Sequence, residues 1–139
     1  MLLSSQHFAE ILAHLRRQSG GQKDKRRAPR TDVRAKITIL PFTAGSCGRP
    51  IAVLTRDMSM DGIGLLTTVT LGQGQQVVLR LPRNDTTTVL VLCDVRYCGL
   101  MADGLYALGC SYLRAMKPEE ARENVNESDV ERIRRSVLS

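Results

Sequence analysis

Two short motifs stand out because their residue types and spacing suit the binding of an anion. The first covers residues 26–30 and has an R-x-x-x-R pattern, with arginines Arg26, Arg27 and Arg30. The second covers residues 57–62 and has a D-x-S-x-x-G pattern, formed by Asp57, Ser59 and Gly62. A guanidinium group is a planar fork of donors that suits phosphates, whereas an ionised carboxylate only accepts hydrogen bonds. The two motifs therefore predict a site for an anionic ligand that also carries hydrogen-bond donors.

Positive charge is concentrated around the first motif. The 139-residue chain has a formal net charge of +6, and the segment 16–36 alone contains nine basic and two acidic residues. The remainder of the chain is therefore close to neutral. Because a nucleic-acid surface is usually basic over a whole face, this distribution indicates a local site for a compact anion.

Alternating apolar residues predict a sheet that carries both motifs. The first alternation starts at Val33 and continues to Ile39, which is typical of a strand with one solvated face. Five more strand patterns follow, separated by turns rich in Gly, Pro, Asn and Asp: 51–56, 63–68, 76–81, 88–97 and 105–113. Six short strands without intervening helices predict an all-β fold, a six-stranded antiparallel sheet whose closure into a barrel would remove its exposed edges.

Amphipathic helices are predicted on both sides of this barrel. An apolar stripe follows Ser4 and consists of Phe8, Ile11, Leu12 and Leu15. Near the other end, Ser128 and Glu131 have the spacing of a capping box. We therefore predict an N-terminal helix with a flexible basic linker over 1–24, a β-barrel domain over 25–115 and a C-terminal helix over 116–139. The helices are expected to cap the barrel, although they could instead form a homodimer contact.

The residues that catalysis or a metal site would require are few. No histidine lies near Ser59 in the sequence, and no G-x-S-x-G motif surrounds it. The four cysteines lack the close pairing of a zinc site, and Cys93 and Cys110 lie in strand patterns where they would pack as small hydrophobic residues. We therefore expect no enzymatic activity, no metal and no cofactor. No apolar run approaches the roughly 18 residues of a membrane span, which favours a cytoplasmic protein without membrane insertion.

In their order, spacing and strand context, the two motifs resemble those of the PilZ family. Its receptors for the bacterial second messenger cyclic di-GMP carry R-x-x-x-R before the first strand and [D/N]-x-S-x-x-G soon after it. The resemblance covers roughly residues 25–113, and the segment Leu108-Gly109-Cys110 is similar to the family's closing strand. It implies a PilZ-like split barrel and cyclic di-GMP as the ligand; the flanking helices lie outside it.

The resemblance also implies roles in ligand binding for the motif residues. An arginine fork matches either a phosphate or the O6 and N7 acceptors of guanine, so Arg26 and Arg30 are the first candidates, and Arg27 could replace Arg26. Asp57 can accept hydrogen bonds from guanine N1–H and N2–H. Ser59 can donate or accept nearby, and Gly62 can adopt a positive φ and let the backbone approach a flat ligand.

Three functions are compatible with the sequence. In the first, cyclic di-GMP orders the basic N-terminal loop and changes its contact with an unidentified downstream protein. In the second, a PilZ-fold adaptor has lost ligand binding and acts through protein contacts alone. The third, a small basic barrel for single-stranded nucleic acid, would need aromatic stacking surfaces, yet the chain has two Phe, three Tyr and no Trp. The intact motifs favour the first, and nucleic acid is not expected as a partner.

Overall fold

The computed structural model describes residues 2–18 and 31–120. In chain order, the helix and strands of these residues are α1 (Ser5–Gln18), β1 (Thr31–Asp32), β2 (Lys36–Thr43), β3 (Ser46–Cys47), β4 (Ile51–Met58), β5 (Gly62–Thr67), β6 (Gln76–Pro82), β7 (Thr88–Ala102) and β8 (Leu105–Met116).

Six of these strands close into an antiparallel barrel. Neighbouring strands follow the order β4-β5-β8-β7-β6-β2, and β2 pairs again with β4. The predicted six-stranded antiparallel barrel is thereby confirmed. The two-residue strands β1 and β3, which the sequence pattern did not indicate, pair with β4 and β2 respectively.

Apolar side chains from all six barrel strands fill the interior. Ile39, Ile63, Leu79 and Leu108 are fully buried in one cluster, as alternation along a strand requires when one face is covered. Cys93 and Cys110 belong to the same cluster. Burial raises the pKa of Cys110 to about 12 and that of Cys93 well above its usual value. Both thiols therefore remain protonated at neutral pH and pack as apolar groups.

Helix α1 caps one end of the barrel. The side chains of Ile11, Leu12 and Leu15 are buried in the same cluster as the barrel interior. Ser4 caps the helix, since its hydroxyl accepts a hydrogen bond of 3.1 Å from the His7 amide. The N-terminal helix is as predicted, whereas the C-terminal helix predicted around residues 128–138 lies outside the described residues. No helix in the described part of the chain is both long and apolar enough to cross a membrane.

The first barrel strand begins later than the sequence pattern predicted. It starts at Lys36 rather than at Val33, because a side chain interrupts the backbone ladder there. The buried Thr55 hydroxyl donates to the Val33 carbonyl and accepts from the Ala35 amide at 2.9 Å. These bonds fix the segment between β1 and β2 against β4 without regular strand pairing.

Strands β7 and β8 are longer than predicted. They extend to Ala102 and Met116, where the sequence patterns over 88–97 and 105–113 ended earlier. The residues added to β7 pair with the first residues of β8, from Cys98 with Leu108 to Ala102 with Leu105, and those added to β8 pair with residues 90–92 of β7. The hairpin turns at Gly104, which has a φ of +70°. Residues 99–102 of β7 are all exposed, so no alternation of buried and exposed side chains marks that part of the strand.

Candidate functional site

A β-bulge turns Asp57 toward the outside of the barrel. Thr55 points inward, and strict alternation along β4 would place Asp57 on the same side. The register shifts between Thr55 and Asp57, so Arg56 is the extra residue. Asp57 consequently pairs with Gly64 on the outer face, while Met58 becomes the fully buried residue.

A second bulge does the same for Tyr97 on β7. Val95 is fully buried, yet the register shifts between Val95 and Tyr97, which leaves Arg96 as the extra residue. Tyr97 therefore pairs with Gly109 and is 48% exposed. Arg96 lies 3.6 Å from Asp94 in a partly exposed ion pair, and such pairs contribute little to stability. The aromatic ring of Tyr97 is thus presented on the outer face.

The outward Asp57 and Tyr97 are the two ends of a row that crosses four adjacent strands. Gly64 pairs with Asp57 and with Gly109, and Gly109 pairs with Tyr97. Residues 64 and 109 must be glycines for Asp57 and Tyr97 to adopt their observed positions. A Cβ on Gly64 would overlap the Asp57 carboxylate, and a Cβ on Gly109 would overlap the Tyr97 ring. We call these four residues the glycine row; its two buried glycines let the Asp57 carboxylate and the Tyr97 ring lie against the backbone of the sheet.

The D-x-S-x-x-G turn next to this row is held by internal hydrogen bonds. The buried Ser59 hydroxyl donates to the Asp61 carboxylate and accepts from the Gly62 amide at 3.2 Å. The Tyr112 hydroxyl donates to the Ser59 carbonyl at 3.2 Å, and the Leu3 amide, just before α1, donates to the Met60 carbonyl at 2.8 Å. Ser59 therefore shapes the turn, and its predicted contact with a ligand stays a prediction.

The conformation expected at Gly62 is wrong. The described glycines with positive φ are Gly45, Gly74 and Gly104. Gly62 instead begins β5 and pairs with Ser111 on β8. The turn closes through the Ser59 amide, which donates to the Gly62 carbonyl at 2.9 Å, so no left-handed residue is needed at this position.

The R-x-x-x-R motif, with Arg26, Arg27 and Arg30, lies outside the described residues. The chain is described again from Thr31, which pairs with Met58, and the next pair is Asp32 with Asp57. The segment that follows the arginines therefore joins the barrel beside the D-x-S-x-x-G turn.

Gly64, Gly109 and Tyr97 were not among the predicted site residues. Leu108-Gly109-Cys110 was noted only as a resemblance, and Gly64 only as part of a strand. A signal was present, because an isolated glycine inside a strand pattern often marks a bulge or a close backbone approach. Two such glycines on paired strands could have indicated the row; the pairing of Tyr97 with Gly109 depends on a bulge that the sequence pattern does not reveal.

The chain matches the model of a protein family and is similar in fold to solved structures. A family model described as "PilZ domain" matches residues 24–128. No curated protein matches the chain. A solved structure of the Bacillus subtilis inhibitor of motility (MotI/DgrA) is 17% identical with a TM-score of 0.49, and the match covers 84% of this chain and 54% of that one. The chain thus spans about half the length of that protein.

Proposed function

The chain belongs to the PilZ domain family, a family of cyclic di-GMP receptors, and from this membership we propose that it binds cyclic di-GMP on the outer face of its barrel. The nucleotide lies over the glycine row. Arg26 and Arg30 approach it from the segment that precedes β1, with Arg27 beside them, and Asp57, Ser59 and Gly62 form its other side.

One observation carries this proposal: the residue that directly follows the R-x-x-x-R motif pairs with a residue of the D-x-S-x-x-G motif. Thr31, the residue after Arg30, pairs with Met58, the residue after Asp57. Consecutive Cα atoms are about 3.8 Å apart, and an extended chain covers up to about 3.6 Å per residue. Arg30 is therefore bonded to a residue that pairs with the D-x-S-x-x-G motif, and Arg26 is four residues earlier in the chain. A basic motif attached elsewhere on the barrel could not reach the row so directly.

The chemistry of the row supports a guanine ligand. The Asp57 carboxylate can accept two hydrogen bonds from one guanine edge. The exposed Tyr97 ring is a stacking surface for a base, and base–aromatic stacking contributes about 1–3 kcal/mol per base. Gly64 and Gly109 let the Asp57 carboxylate and the Tyr97 ring lie close to the sheet, so that a base would contact the outer side of these two groups. The negatively charged phosphates of the ligand would bind the positively charged arginines.

The signal passes to another protein by contact, because PilZ domains are binding and adaptor domains. When the ligand is bound, the arginine-bearing segment becomes ordered over the row. The Leu3 amide already donates to the Met60 carbonyl in the turn. A change in the turn would therefore also reach the start of α1 and the surface that this helix presents to a partner.

Alanine substitutions of the two row glycines test where the nucleotide binds. In Gly109→Ala the new methyl group must displace the Tyr97 ring, and in Gly64→Ala it must displace the Asp57 carboxylate. We expect each variant to weaken cyclic di-GMP binding by about tenfold or more, which is about 1.4 kcal/mol, in calorimetric titrations.

Gly99→Ala is the matched control, because a Cβ at Gly99 meets nothing within 4 Å and Gly99 lies on β7, two residues after Tyr97. Its affinity should equal that of the unaltered protein. If Gly64→Ala and Gly109→Ala fold normally by circular dichroism and bind with unchanged affinity, the nucleotide does not lie on the glycine row.

A further inference from the structure

An apolar groove lies on the outer face of the barrel directly beside the glycine row. Leu54 pairs with Leu66, and Leu66 pairs with Ala107, so these three form the next outward-facing row along β4, β5 and β8. The groove has a volume of about 230 Å³. Leu105 also lines it, and the side chain of Leu54 is 47% exposed. Exposed apolar side chains gathered in a concave surface are typical of an interaction site.

Among the described residues, the lining of this groove contains one charged residue, which is basic. Lys36, which pairs with Leu54 across β2 and β4, lines the groove, and its lining residues include no aspartate or glutamate. Arg34 is exposed on the same side and donates to the Arg56 carbonyl at 2.6 Å. A partner whose carboxylates face Lys36 and Arg34 would be attracted, and a basic partner would be repelled.

The strands around the groove exclude binding of a partner by addition of a β-strand. β2, β4, β5 and β8 each pair with a neighbouring strand on both sides, so no open edge is present there to accept an added strand. A partner must contact side chains instead. Partner proteins commonly bind such a groove through an amphipathic helix, whose apolar residues at i, i+3 or i+4 and i+7 contact the groove.

We propose that this groove binds an acidic amphipathic helix of a partner protein, with apolar side chains between Leu54, Leu66 and Leu105 and carboxylates toward Lys36. A helix in this position would border the glycine row. A nucleotide on that row would then contribute to the edge of the same interface; this last step rests on the proposed function, whereas the groove itself does not.

The test is a selection from a phage-displayed library of helical peptides, carried out without nucleotide so that its outcome is independent of cyclic di-GMP binding. In the library, each peptide position on the helix face that would contact the groove is either apolar or polar. Each position that flanks this face is Glu, Gln or Lys. Binders to the unaltered protein are selected with Leu54→Glu as a soluble competitor. We expect enrichment of an apolar stripe with Glu at the flanks.

Selected peptides should bind Leu54→Glu about tenfold more weakly and Lys36→Glu about threefold more weakly. Replacing the flanking Glu by Lys in the peptide should restore binding to Lys36→Glu. Leu113→Glu is the control, since Leu113 is 40% exposed and does not line the groove; it should leave peptide binding unchanged.

Three outcomes would overturn the proposal. The first is a selection that yields no binder sensitive to Leu54→Glu, and the second is enrichment of basic rather than acidic flanks. The third is a dimer of the unaltered protein in sedimentation that Leu54→Glu dissociates, because a second copy of the chain would then occupy the groove.

Discussion

Substituting Arg26 and Arg30 together by alanine is expected to abolish measurable binding of cyclic di-GMP. Each arginine is proposed to make charge-assisted hydrogen bonds to a phosphate or a guanine edge, and the loss of one such contact costs about 1.5–3 kcal/mol. Arg30→Ala alone should therefore weaken binding by about 10- to 100-fold, at about 1.4 kcal/mol per factor of ten. The double variant should fall below detection in the same calorimetric titration.

Loss of net charge must be separated from loss of specific contacts. Arg49→Ala combined with Arg114→Ala removes the same charge from two exposed positions, and we expect it to retain affinity within about twofold at physiological salt, where exposed charges are screened beyond about 8 Å. Equal weakening by both double variants would mean that only the overall charge of the protein attracts the nucleotide.

Asp57→Ala is expected to reduce affinity for cyclic di-GMP by about 100-fold while leaving weak binding of cyclic di-AMP unchanged. Its carboxylate faces outward beside Gly64 and is proposed to accept from guanine N1–H and N2–H. Two charge-assisted hydrogen bonds of this kind account for about 3 kcal/mol. Adenine lacks that pair of donors, so it gains nothing from the carboxylate.

Two variants control for other effects of this substitution. Asp57→Asn keeps the shape of the side chain but not its charge and should show an intermediate loss. Asp103→Ala, in the exposed β7–β8 turn, removes a carboxylate far from the glycine row along the hairpin and should have no effect. Equal affinity of the unaltered protein for cyclic di-AMP and cyclic di-GMP would contradict recognition of the guanine edge.

Periodicity predicted the barrel because most of its strands have one buried and one solvated face. The alternation of Ile37 and Ile39 with polar residues, and the helical stripe around Ile11 and Leu15, are local patterns that the structure confirms. The limits of β2 were not predictable in this way. They depend on the Thr55 side chain, which bonds to Val33 and Ala35 about twenty residues earlier in the chain.

The chemistry of the candidate site was predictable in part. Asp57 was identified from its motif, but simple alternation with Thr55 would have turned it into the barrel. Its outward direction depends on the bulge at Arg56, and that of Tyr97 on the bulge at Arg96. Bulges are set by pairing with a distant strand, so no local pattern reports them. The glycine row could be identified only once β4, β5, β8 and β7 were placed side by side.

The most direct measurement of the central claim is an isothermal titration of the unaltered protein with cyclic di-GMP, with cyclic di-AMP as the comparison. The account predicts saturable binding of cyclic di-GMP at micromolar concentrations or below, which is a free energy of about −8 kcal/mol or better, and much weaker binding of cyclic di-AMP. Absence of binding up to about 100 µM cyclic di-GMP, or about −5.5 kcal/mol, would contradict it and leave a PilZ-fold adaptor that acts without this ligand.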